Sequence, residues 1–191
     1  MDGLNISVIW RSAVTQENGQ AWCFPDKFTP YFKERYSIPA IYRWRIDKRQ
    51  PGERERIYIG EGEELTRRIL WVLRPHSSSK PNDTNRRLHE IFRRCVLEKR
   101  PVWIDVADID PFEINGVRFD QRDLGDRFKR RMLENLLLAI AEADKNCELL
   151  NNVMEPLDRD RELLIRRLSP RQLRETKQRY FGSGKELGSH S

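Results

Sequence analysis

Pro39-Ala40-Ile41-Tyr42-Arg43-Trp44-Arg45-Ile46, followed by Arg56-Ile57-Tyr58-Ile59-Gly60-Glu61-Gly62-Glu63-Glu64-Leu65-Thr66-Arg67-Arg68-Ile69, is the stretch from which the fold is read. Ala40, Tyr42, Trp44 and Ile46 alternate with Arg43 and Arg45, the period-two pattern of a half-buried strand with an aromatic inner face. Lys48-Arg49-Gln50-Pro51-Gly52-Glu53 is a polar loop with a Pro-Gly turn, and Arg56 to Gly60 returns as a second strand, giving an antiparallel hairpin. Gly60 and Gly62 are read as a sharp turn into a helix, with Glu63 and Glu64 in its dipole-favoured first turn. Leu65, Ile69, Val72 and Leu73 then recur at helical spacing. Alternation puts Tyr42 with the apolar set and Tyr58 with Arg56 and Gly60, and leaves the hairpin register open.

Working outward, Ile6, Val8 and Trp10 alternate as a short strand, with Ala21-Trp22-Cys23-Phe24 beyond the Asn18-Gly19 turn as its hairpin partner. Residues 31–36 form a short helix after Pro25 and Pro30. A loop runs from His76 to Thr84, with Asp83 or Thr84 as cap of a helix whose stripe is Leu88, Ile91, Phe92, Cys95 and Val96. Val102, Ile104 and Val106 alternate as a third strand, residues 108–118 are a turn-rich excursion, and residues 126–145 form a long helix carrying Leu133 and Leu137. The expected fold is α+β, a small three-stranded antiparallel sheet flanked by helices. Residues 1–37 are a strand and helix elaboration packed on the core, and residues 38–153 the domain itself. Residues 154–181 are a charged helical extension, and residues 182–191 a tail of disordered composition.

The 191 residues suffice for one core with extensions. The net charge is +6, supplied mostly by arginine, whose planar fork suits phosphate, so the balance points to a polyanionic partner. Cys23, Cys95 and Cys147 stand far apart with no Cys-x-x-Cys, which argues against a disulfide framework or zinc site and for a reducing, cytoplasmic setting. No apolar run approaches the roughly 18 residues of a span, and the first residues lack the features of a secretion signal, so no membrane partner is expected. His89-Glu90-Ile91-Phe92-Arg93 lacks the second histidine of a zinc-protease helix, and Gly182-Ser183-Gly184-Lys185 is followed by Glu186 without a preceding apolar strand.

Ala40-Ile41-Tyr42, Tyr58-Ile59-Gly60 and Leu65-Thr66-Arg67-Arg68-Ile69, in this strand–strand–helix context, resemble the signature of the GIY-YIG nuclease family. Ala40 stands where the family has glycine, and the resemblance extends over about residues 39–152. It implies phosphodiester hydrolysis in DNA, with Tyr58 or Tyr42 positioning or deprotonating the attacking water and Arg68, rather than its neighbour Arg67, clamping the phosphate. It makes Glu134 the metal ligand, with Glu142 the weaker alternative, for Mg²⁺ or a substituting Mn²⁺. The residues themselves add that Leu137, Leu138 and Ala141 share the helix face of Glu134, so a half-buried carboxylate there needs a reason. By resemblance Asn151 or Asn152 supports the site, and His76 replaces the histidine or tyrosine that many members carry at the position of Val72. Lys48, Arg49 and Arg67 are the expected nucleic-acid contacts, and cutting both strands implies a homodimer or sequential nicking. The plain alternatives are packing tyrosines, an Arg68–Glu64 pair, and Glu134 paired with Arg130 or Arg131. The alternative function is a non-catalytic DNA- or RNA-binding protein on a degenerate scaffold of this kind.

Overall fold

The hairpin read from the aromatic alternation forms the middle of a larger sheet. In the computed structural model, which describes residues 8–17, 19–48, 50–75, 84–114 and 117–151, strand β2 (Ala40–Ile46) pairs antiparallel with β3 (Glu55–Gly62). The register sets Tyr42 opposite Gly60 and Trp44 opposite Tyr58, so both tyrosines lie on one face. On its other edge β2 pairs with β4 (Val102–Ile109), placing Trp44 beside Ile104 and Ile46 beside Val102.

The expected three-stranded antiparallel sheet is corrected to a five-stranded mixed sheet within an α+β fold. Strand β1 (Val8–Ser12) adds antiparallel to β4, and β7 (Cys147–Leu149) adds parallel to the first half of β3, giving the order β1-β4-β2-β3-β7. The segment Ala21-Trp22-Cys23-Phe24 is not the hairpin partner of β1. Ala21 bridges to Val14 and Cys23 to Trp103, so this segment crosses to the end of β4. The excursion after β4 is itself ordered: β5 (Phe112–Ile114) and β6 (Val117–Phe119) make a second small sheet.

Two apolar layers cover the sheet. On the Tyr42 face, Trp44, Ile46 and Ile104 meet Trp22, Phe24 and Phe32, the last from helix α1 (Pro30–Tyr36). Leu65, Ile69 and Val72 of α2 (Leu65–Leu73) and Leu88, Phe92 and Val96 of α3 (Thr84–Leu97) complete this layer, as their helical spacing requires. On the opposite face, Ile41, Ile57 and Ile59 meet Leu133 and Leu137 of α4 (Arg127–Ala143), with Phe112 and Phe119 closing the layer. Asp126 caps α4, its carboxylate accepting from the Lys129 N–H at 2.9 Å.

One charged cluster lies on the α4 face. The Asp105 carboxylate, 3% exposed, accepts from Arg43 Nε at 2.8 Å, Arg45 Nε at 3.2 Å and Ser12 Oγ at 2.8 Å. It ties β1, β2 and β4 together across the strands. Cys23, Cys95 and Cys147 are free thiols. No described helix is long and apolar enough to cross a membrane. Arg49, His76, Asn152, the extension at 154–181 and the tail at 182–191 lie outside the described residues.

Candidate active site

Tyr42 and Tyr58 project from adjacent strands to the same layer, with ring centroids 6.5 Å apart. Their closeness depends on Gly60. A Cβ there would lie 2.7 Å from the Tyr42 hydroxyl oxygen and 2.9 Å from Tyr58 Cε1. Gly62 clears space in the same way, since a Cβ would lie 2.5 Å from Arg68 Cγ. The reading of these glycines as a turn is therefore corrected. Both lie inside β3 without the positive φ that marks Gly52, and their role is to leave room for Tyr42 and Arg68.

Arg68 reaches these rings from the first turns of α2. It hydrogen-bonds the Tyr42 hydroxyl, and its guanidinium carbon lies 5.3 Å from the centre of the half-exposed Trp71 ring. Its Nε is buried and makes no hydrogen bond among the described residues. Burial opposes its charge, but Tyr42, Tyr58 and Glu61 outweigh this and hold its pKa above the ordinary value. The expected alternative of an Arg68–Glu64 side-chain pair is not present among the described residues. Glu64 accepts instead from the Thr66 hydroxyl, and it is Arg67 that pairs with an acid one turn back, Glu63 at 3.4 Å.

Glu134 comes to the same place from α4 on the other side of the sheet. Its carboxylate accepts the main-chain N–H of Glu61, and its charge is felt at both Tyr42 and Tyr58. Burial, with the Glu61 carboxylate adding, raises its pKa, and Arg68 and Arg131 offset this in part. Arg130 and Arg131 turn to Glu61, at 2.7 Å and 3.8 Å. Glu142 is exposed at the far end of α4.

Burial pushes both tyrosine hydroxyls up, Tyr58 adding to the effect on Tyr42, and Arg68 offsets it only in part. Both are neutral phenols at physiological pH, able to donate and accept one hydrogen bond each. The open half of β3 borders this cluster. Asn151 closes part of it, its Oδ1 accepting from Ile59 N at 3.0 Å and its Nδ2 donating to Ile59 O at 2.7 Å. Arg87 of α3 donates to the Leu150 and Asn151 carbonyls at 3.1 and 3.2 Å, and its charge reaches Tyr58.

The geometry thus brings together Tyr42, Tyr58, Arg68 and Glu134, with Asn151 bracing β3. Lys48 falls elsewhere, beyond the end of β2 and roughly 20 Å along the strand from Tyr42. Arg67 lies on the exposed side of α2 next to Trp71. Two participants were missed, Glu61 and Arg87. Glu61 follows Gly60 directly and alternation sends it to the α4 face, a signal that was present in the sequence. Arg87 had none, because nothing distinguishes it from Arg86 until α3 is placed.

No family model, characterised protein or solved structure matches the chain.

Proposed function

We propose that this protein is a metal-dependent endonuclease of the GIY-YIG kind, hydrolysing phosphodiester bonds in DNA. The observation that carries the reading is convergence. Two tyrosines from β2 and β3, an arginine from α2 and a carboxylate from α4 meet at one half-open edge of the sheet, within range of one another's charges. Packing alone gives no reason to gather these four types there.

In this reading a phosphate oxygen becomes a partner for the Arg68 guanidinium, whose charge Tyr42, Tyr58 and Glu61 hold in place. Arg68 then stabilises charge as it develops on the phosphoryl oxygens, inside a partly dry site where such contacts are strong. Tyr58 and Tyr42, held as phenols, orient the attacking water by accepting its proton in a hydrogen bond. Removal of that proton falls to hydroxide or to a phenol whose pKa is lowered by added positive charge.

Among the described residues no group of three or more His, Cys, Asp or Glu gathers into a cation site, so a hard divalent cation would rest mainly on Glu134. Glu134 and Glu61 repel each other, which a cation beside them relieves, and one carboxylate with phosphate oxygens and waters is an ordinary Mg²⁺ set. When bound, such an ion supplies charge neutralisation and a more acidic water. Glu134 would hold it, and Glu61 is the second acidic group, itself anchored by Arg130.

DNA as partner, a homodimer for cutting both strands, and a cytoplasmic setting belong to the same proposal. The second reading, a non-catalytic DNA- or RNA-binding protein, draws on the two tyrosines being held as neutral phenols. One experiment separates them. Supercoiled plasmid is incubated with wild type, Arg68→Ala and Glu134→Ala, in Mg²⁺, Mn²⁺ or EDTA. The nuclease reading expects nicking that requires the metal and is reduced by about 10²-fold or more in either variant. Binding without cleavage in every metal would leave the second reading standing.

A further inference from the structure

A separate cavity opens on the other side of α2. Leu70 and Leu73 lie about 200° and 140° round the helix from Arg68, and they face the segment after Cys23 rather than the tyrosines. The cavity has a volume of about 420 Å³, within the range of small-ligand pockets. Its floor is apolar, made by Phe28, Leu70 and Leu73 over the fully buried Phe24. Its rim is cationic. Lys27, Lys33 and Arg74 line it, all exposed, and none makes an ion pair among the described residues. Asp26 is the single acid in the lining and its carboxylate accepts from the Cys23 N–H at 3.1 Å.

His89 of α3 adds a fixed polar group. Its Nδ1 lies 2.7 Å from the Val72 carbonyl, which can only accept, so Nδ1 carries the hydrogen and Nε2 is an acceptor. Burial, with Arg93 adding, holds the imidazole pKa down at about 4 although the carbonyl bond works the other way, so the ring stays neutral. An edge-on contact with Phe24 at 5.9 Å sets its orientation.

An apolar floor with an aromatic ring, one hydrogen-bond acceptor and an anion-binding rim together describe one ligand chemistry. We propose that the cavity between the Phe24–Phe28 segment, α2 and α3 binds a mononucleotide unit. The base lies on Phe28, Leu70 and Leu73, one base N–H faces His89, and the phosphate rests on Lys33 and Arg74. The unit comes either from a free nucleotide or from a base unstacked from a strand, and the chemistry is the same in both. Arg67 and the exposed Trp71, whose ring lies 5.7 Å from the Arg67 guanidinium carbon, occupy the solvent side of α2 between this cavity and Arg68. Occupancy does not depend on hydrolysis at the tyrosine cluster.

The test is calorimetric titration of the full chain, without metal, with dAMP and with deoxyribose 5-phosphate. Binding of dAMP at least tenfold tighter than the sugar phosphate is expected. The exposed double variant Lys33→Glu/Arg74→Glu should weaken dAMP at least tenfold at unchanged melting temperature. Leu70→Glu, at an exposed lip, should weaken it likewise, and Arg68→Ala should leave it intact. Displacement of dAMP by a short single-stranded oligonucleotide marks the base of a strand as the source, and no displacement marks the free nucleotide. Equal binding of the two small ligands, no binding at millimolar concentration, or loss only in Arg68→Ala would overturn the assignment. None of these results bears on plasmid cleavage, which is read separately.

Discussion

Gly60 and Gly62 show how little separates this site from a merely well-packed strand. A methyl group at Gly60 would meet the Tyr42 hydroxyl at 2.7 Å, and the ring has a buried, filled layer behind it. Gly60→Ala should therefore lower stability by about 1–3 kcal/mol, seen in denaturant midpoints and in the near-ultraviolet signal of the tyrosines. Gly62→Ala meets Arg68 Cγ at 2.5 Å, close to its helix backbone, so Arg68 must shift from Tyr42 and the change should lower both phosphate affinity and melting temperature. Glu134 makes a prediction of opposite sign. Its pKa is raised by burial and by Glu61, so the folded state holds its proton more tightly than the unfolded chain does. Stability is lost as pH rises from the ordinary value of 4.5 through the raised one. Glu134→Gln should thus melt higher than wild type at pH 7 without metal, the gap closing below about pH 4.5, while plasmid nicking disappears. The identities of Tyr42, Tyr58, Arg68 and Glu134 were all readable from spacing and resemblance. Their meeting was not, because alternation within each strand says nothing of how the strands are slid against each other. The observed register, Trp44 opposite Tyr58, resolves it.

Among elements, β2 and β4 depend on a single carboxylate. Asp105 accepts from Arg43 and Arg45 on β2 and from Ser12 on β1, so removing it strands Arg43 and leaves Arg45 with Asp47 alone. Asp105→Ala should cost about 3 kcal/mol, the low end for a broken buried pair because both arginines keep some water. A shift in urea midpoint at unchanged slope would show it. The strands that flank the central hairpin mark where sequence reading ran short. The alternation of β1 was legible, but its partner is β4, almost a hundred residues on, and not the nearby Ala21–Phe24 segment. Strand β7 is three residues long, too short for periodicity to register, and its parallel pairing with β3 is a product of where α4 ends. The longer helices α3 and α4 were readable because their apolar stripes repeat over several turns.

For the whole molecule, the sheet separates two apolar layers, and the tyrosine cluster draws on both: Tyr42, Tyr58 and Arg68 from one, Glu134 from the other. The net charge of +6 favours polyanions in general, so affinity for DNA should fall steeply with salt. Arg68→Ala should reduce the slope of log K against log salt by about one, the signature of one lost phosphate contact. A change of affinity at constant slope would instead mean that Arg68 braces Tyr42 and touches no phosphate.

The half-covered strand β3 has a consequence for self-association. Along its outer edge the main chain of β7 takes the first residues, the Asn151 carboxamide occupies both polar groups of Ile59, and the Glu134 carboxylate takes the N–H of Glu61. Two side chains thus stand in for a missing strand and blunt a template on which another polypeptide could grow. A residue at the proposed centre of chemistry also acts as a guard against self-association. Asn151→Ala combined with Glu134→Ala should therefore aggregate faster on mild warming than either single change, a cost of losing the site that no cleavage assay would reveal.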